Sequence, residues 1–192
     1  MSYFNTRRLR PAAGLGVLMA FAVMAVGAQA DPGDVSITLT GGSRSTTIPA
    51  IAPLTVGLTG VAQTVTTTVG AWSVTDATGS NDGYRVTVAA SVPTVGGSVA
   101  DAGTGGSITL TPKTATVAAG NSAATGPVAA SAQPLSTTAA TIQTAADGTG
   151  QGKWDFAADS GLEKSLSVVI PGDASAGAYT STLTFTAAPR VA

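Results

Sequence analysis

The sequence predicts an all-β fold, an antiparallel β-sandwich of immunoglobulin-like type. Three observations carry this: apolar and polar residues alternate in short runs, glycine-rich turns separate the runs, and no stretch after the first thirty residues keeps a helical period. Val35, Ile37 and Leu39 alternate with Ser36, Thr38 and Thr40, and Trp72 and Val74 with Ser73 and Thr75. Tyr84, Val86 and Val88 alternate with Arg85, Thr87 and Ala89. Near the end, Tyr179, Leu183 and Phe185 share one parity while Thr180, Thr182, Thr184 and Thr186 hold the other. Successive side chains of a strand point to opposite faces, so this pattern suits sheets buried on one side. The β-branched Thr and Val fit a pleated surface.

Turn residues punctuate the runs at Gly41-Gly42, Gly79 to Gly83, Gly96-Gly97, Gly103 to Gly106 and Pro171-Gly172-Asp173. Short strands at this spacing close into a sandwich or a barrel. Asp76 to Gly83 reads as a hairpin turn; its oxygen donors invite a calcium loop, but the D-x-D-x-D spacing and a closing Glu are missing. Residues 91–150 are rich in Ala, Gly, Ser and Thr and contain no aromatic residue. They read either as a disordered linker or as weak strands, Ser107–Thr111 and Thr114–Val117, joined by long loops; the strands are expected.

Residues 1–30 form a signal peptide rather than part of the fold. Arg7, Arg8 and Arg10 precede an apolar run from Ala12 to Val26, and Ala28-Gln29-Ala30 is a small-x-small cleavage site before Asp31. Thr6-Arg7-Arg8 resembles a twin-arginine signal, but Leu9-Arg10-Pro11 fits it poorly, so ordinary secretion is expected. The remaining chain, 31–192, is expected to be one domain. It keeps six basic and ten acidic side chains, a net charge of −4. That leaves no basic stripe for nucleic acid, and no membrane span is expected once the signal is removed. Without Cys, hydrophobic burial rather than disulfides must hold the exported domain.

No enzyme is expected and no cofactor is implied. The chain has neither His nor Cys, which removes the usual metal ligands and triad bases. Asp159-Ser160-Gly161 has the D-S-G of aspartic proteases, yet no second copy exists to mirror it, so an Asx-type turn is expected. Asp155, between Trp154 and Phe156, lacks an evident partner carboxylate. The threonine runs Thr64-x-Thr66-x-Thr68 and Thr180 to Thr186 read as solvated sheet faces. Trp72, Tyr84, Trp154, Tyr179 and Phe185 are open to two readings: core anchors, or exposed rings that stack on sugars.

Two blocks resemble the WxL domain family of Gram-positive surface proteins. The first, Trp72 to Val88, is similar to the family's V-x-D-x-(R)-G-(S/T)-…-G-W-x-L-x-V, with Asp76 and Gly79 in the turn. The second runs Leu166 to Pro171 and Ala176 to Pro189, and is similar to L-x-V-P…A-G-x-Y-x-(S/A)-T-L-T-W-x-L-x-x-(A)-P. Gly150-Gln151-Gly152 before Trp154 matches a glycine pair of the family. Both eponymous motifs are altered: Tyr84-Arg85-Val86 and Phe185-Thr186-Ala187 stand in place of W-x-L. The resemblance implies a β-sandwich bound noncovalently to peptidoglycan or another wall glycan, often beside other surface proteins. On that basis the wall-binding candidates are Trp72, Tyr84, Arg85, Val86, Trp154, Tyr179 and Phe185, with the two altered motifs side by side. The ending Pro189-Arg190-Val191-Ala192 has no L-P-x-T-G signal, which fits noncovalent attachment. A second reading is a pilin-like or adhesive subunit assembling by β-strand addition, since A-G-x-Y-x-x-T-x-T also resembles pilin ends.

Overall fold

The computed structural model describes residues 37–95, 98–99, 106–121 and 125–190. The expected strand start at Val35, the turns at Gly96-Gly97 and Gly103 to Gly105, and the signal peptide lie outside them. Residues 39–192 make one compact unit. Of the other, 1–38, only Ile37 and Thr38 are described.

Every regular element among the described residues is a strand: β1 Arg44–Thr46, β2 Gln63–Thr67, β3 Trp72–Asp76, β4 Tyr84–Ala90, β5 Thr94–Val95, β6 Ser98–Val99, β7 Ser107–Leu110 and β8 Thr116–Val117, followed by β9 Val128–Ala129, β10 Gln133–Leu135, β11 Ala140–Ala145, β12 Gly152–Phe156, β13 Leu166–Ile170, β14 Tyr179–Thr180 and β15 Leu183–Pro189. All pairings among the described residues are antiparallel. Three four-stranded sheets run β1-β3-β12-β8, β15-β4-β11-β9 and β10-β7-β13-β2, and a small sheet runs β14-β5-β6. The expected all-β sandwich is what forms.

The alternating runs at Trp72 and Tyr84 become β3 and β4, with Val74, Tyr84, Val86 and Val88 fully buried. These strands do not pair with each other. β3 joins the first sheet and β4 the second, so Asp76 to Gly83 is an arch between layers, not the expected hairpin. Gly83 allows the crossing: its φ is 68°, and a Cβ there would lie 2.4 Å from the Ala145 carbonyl oxygen.

The two layers meet through aromatic rings. Trp72 stacks on Phe156, its cross-strand neighbour, with centroids 3.8 Å apart and planes within 10°. Trp72 also touches Phe185 on β15 of the opposite sheet at 5.6 Å and 56°. Leu110, Leu135 and Leu166 bring the third sheet into the same core cluster.

Two early expectations change. Ile37 to Thr40 alternate as a strand would but join none, and they are exposed. Tyr179 and Leu183 share a parity without sharing a strand, because the chain leaves the ladder between β14 and β15. The weak strands expected in residues 91–150 are present as β7 and β8. β11 in the same stretch was not anticipated, although it sits beside β4 with Ile142 and Gln143 fully buried.

Asp159 fastens the loop before β13. Its carboxylate accepts hydrogen bonds from the backbone N–H of Val69 and Ser165 and from the Ser165 hydroxyl, and pairs with Lys113 Nζ at 2.8 Å. It is therefore a long-range clasp rather than the expected Asx turn. Burial alone pushes this carboxyl up; the bonds from Lys113, Ser165 and Val69 outweigh that and hold it well below the usual carboxylate range. A depressed folded pKa contributes stability that is complete above the ordinary aspartate value of about 3.9 and is lost as pH falls below it. Asp159→Asn is expected to destabilise the domain by about 3 kcal/mol at neutral pH. Denaturant titrations should show the gap between parent and variant narrowing in acid; a gap independent of pH would contradict this account.

Candidate functional site

The two altered motifs lie side by side. β4 and β15 pair over seven positions, with Val86 opposite Ala187, Thr87 opposite Thr186 and Val88 opposite Phe185. Strand alternation then decides what each motif residue does. Tyr84 and Val86 point inward, as does Phe185, while the central residues Arg85 and Thr186 point outward.

Five of the seven candidates are core residues. Trp72, Tyr84, Val86, Trp154 and Phe185 are buried, with at most 8% of their surface accessible. Trp154 is held by its indole N–H, which donates to the carbonyls of Gly150 and Gln151, both at 3.1 Å. Gly150 has φ 80°, and a Cβ there would lie 2.4 Å from the Ala145 Cβ and 2.8 Å from the Tyr84 ring. The glycine before β12 thus exists to let Tyr84 and Ala145 pack.

Tyr84 occupies the tryptophan position of the first motif. Its hydroxyl is buried and has no hydrogen-bond partner among the described residues. Burial, with the Asp76 charge adding to it, pushes the phenol up and keeps it neutral. Arg44 lies over the ring, 5.3 Å from its centroid. The same guanidinium donates through Nε and Nη2 to Asp76 Oδ2 and through Nη2 to the Gly83 carbonyl. Asp76 Oδ1 accepts from the Thr78 N–H and hydroxyl. Burial raises the Asp76 carboxyl, but Thr78 and Arg44 bring it below its ordinary value. With both oxygens engaged, this carboxylate braces the arch and has little left for a calcium ion.

The surface residues assemble elsewhere. Outside the β15-β4-β11-β9 sheet, Thr186, Thr87 and Thr141 form a row across three strands, and Ala188, Arg85 and Thr144 form the next row. Thr184 and Thr186 are exposed, and Arg85, Thr87, Thr141 and Thr144 are partly so. Arg85 makes no ion pair or hydrogen bond among the described residues. This face thus carries a row of three threonines on adjacent strands, Thr184 two residues from Thr186, and Arg85 as its cation. Tyr179, the other exposed candidate, lies apart on β14 and donates its hydroxyl to the Ser175 carbonyl at 2.7 Å. Asp155 is also a surface residue, 3.6 Å from Lys153.

Fold and motif geometry together define a β-sandwich whose two motif strands are hydrogen-bonded neighbours. The chain belongs to the WxL family: the model of the WxL domain, described as a surface cell wall-binding domain, matches residues 43–189, from the start of β1 to the end of β15. No curated protein and no solved structure matches the chain.

Because the Tyr84 hydroxyl is desolvated without a partner, Tyr84→Phe is expected to leave stability unchanged or raise it by about 1 kcal/mol. Chemical denaturation checks this, and a loss larger than about 1 kcal/mol would mean that the hydroxyl has a hydrogen bond in solution.

Proposed function

We propose that the protein is exported, cleaved after Ala30, and held noncovalently on peptidoglycan or an associated wall glycan through the outer face of the β15-β4-β11-β9 sheet. It binds without catalysing a reaction. Membership of a surface cell wall-binding family supports the wall as target. The observation that carries the choice of face is the pairing of the two motif strands, which turns Arg85 and Thr186 outward together.

The chemistry of that face fits a polymer rich in hydroxyls and amides. Threonine hydroxyls both donate and accept, so a lattice of them can exchange hydrogen bonds with a sugar chain lying flat. Arg85 adds a donor fork that matches carboxylates, such as those of wall peptides. The five buried candidates support this face from beneath, and changing them would alter binding through the fold.

Arg85→Ala is expected to keep stability within about 0.5 kcal/mol of the parent, because the side chain is partly exposed and unpaired. Co-sedimentation with purified sacculi should fall several-fold, and Thr186→Val combined with it should fall further. Parental binding by both folded variants would place the polymer on another surface. Export is checked separately: intact-mass measurement of the secreted protein should give Asp31 as its first residue, and a product retaining Met1 to Ala30 would identify an anchored protein.

A further inference from the structure

The outer face of the β15-β4-β11-β9 sheet is not chemically uniform. Thr186, Thr87 and Thr141 stand opposite one another on three strands and offer hydroxyls. The neighbouring line takes one residue from each of the four strands: Ala188, Arg85, Thr144 and Val128. Arg85 pairs with both Ala188 and Thr144, and Thr144 pairs in turn with Val128. This second line offers methyl groups and one guanidinium. Ala188, Arg85 and Thr144 are partly exposed, and Val128 is 70% exposed. With strands about 4.8 Å apart, the line is about 14 Å long, which an extended peptide of four residues would cover.

Charge decides between the acidic groups a wall presents. Arg85 is the only charged residue within the four strands, and the short Ala188 and Thr144 beside it leave its fork open to a carboxylate. At the same end of the sheet Arg190 follows β15, Asp82 lies two residues before β4, and Asp147 lies two residues after β11. All three are exposed. The Gly148 N–H donates to the Asn81 carbonyl at 2.8 Å, so the two loops that carry the acids are held together. Two arginines against two aspartates leave this region without net charge. A phosphate polymer, whose attraction needs many cations acting together, gains little here. A single carboxylate on an otherwise neutral chain still gains the Arg85 fork.

We propose that the two lines divide the ligand: the threonine line takes the sugar chain, and the Ala188–Arg85–Thr144–Val128 line takes a peptide stem of the wall, a short chain of small residues whose free carboxylate Arg85 holds. The inference rests on the wall-binding reading of this face and adds which part of the polymer gives specificity. Threonine hydroxyls exchange hydrogen bonds with any sugar, whereas the guanidinium selects a carboxylate. A stem whose carboxylate is amidated or consumed in a cross-link loses that contact, so the protein favours wall with free stems.

Co-sedimentation of the secreted protein with purified sacculi tests this, with sacculi left untreated, stripped of phosphate polymers by acid, or amidated with carbodiimide and methylamine. The parent should bind untreated and stripped sacculi alike, and amidated sacculi several-fold less. Arg85→Ala should bind all three equally, at the level the parent shows on amidated sacculi, because substitution and amidation remove the same contact. Val128→Asp, at an exposed position, should keep the parent's melting temperature and bind untreated sacculi several-fold less. A parent indifferent to amidation overturns the proposal, and the wall-binding face still stands if Arg85→Ala binds less. Loss of binding to stripped sacculi overturns it in favour of a phosphate polymer. Losses from amidation and from Arg85→Ala that multiply place the carboxylate contact elsewhere and overturn it, as does parental binding by folded Val128→Asp. If Arg85→Ala binds untreated sacculi as the parent does, the face itself is wrong and the proposal falls with it.

Discussion

The rest of the architecture depends on Trp72. It stacks on Phe156 within its own sheet and reaches Phe185 in the opposite one, so one side chain couples the layers. With no disulfide to limit the unfolded chain, this burial and the aliphatic cluster around it must offset the conformational entropy of folding. Much of the chain is Ala, Gly, Ser and Thr, which bury little apolar area per residue. A few large rings therefore carry a disproportionate share, and the glycines near them are spacers: Gly150 brings Tyr84 and Ala145 together by having no side chain of its own.

Charged residues reinforce the aromatic core at two places. Arg44 and Asp76 tie β1 to the arch and cap the Tyr84 ring, while Lys113 and Asp159 tie the loop after β7 to the loop before β13. Both acids lose water on burial and are held below their ordinary value by the cation together with several directed donors. Each links segments far apart in sequence, so the pairs fix how the layers are connected more than they add to hydrophobic stability.

Strand identity was legible wherever β-branched or aromatic residues alternated against polar ones, as in Trp72 to Asp76, Tyr84 to Ala90 and Leu183 to Phe185. β11 was not, for a physical reason. A register shift between Thr141 and Gln143 places Ile142 and Gln143 both inside, which breaks the period of two, and the rest of the strand is Ala and Thr. The pairing partner of each strand was equally hidden: Asp76 to Gly83 has every mark of a hairpin turn, yet it crosses between layers because Trp72, Val74, Val86 and Val88 must face one another. At the candidate site, the resemblance named two strands that the fold pairs side by side, but mainly their inward residues. A motif defined by its aromatic and aliphatic positions reports the buried parity, and contact with a polymer requires the other one.

The two altered motifs are best understood in those terms. A tryptophan at position 84 or 185 would lie under the sheet, where its first requirement is volume and a partner for its N–H. Tyr84 meets the volume with a ring sandwiched between Gly150 and Arg44, leaves its hydroxyl unpaired, and so shows that the position tolerates a lost hydrogen bond so long as the space is filled. Phe185 meets it by packing against Trp72. Trp154 uses its own indole N–H to hold the turn into β12. Substitution at the signature positions is therefore a change of core packing. The outer lattice of Arg85 and threonines can persist unchanged above it, because opposite faces of one strand answer to different constraints.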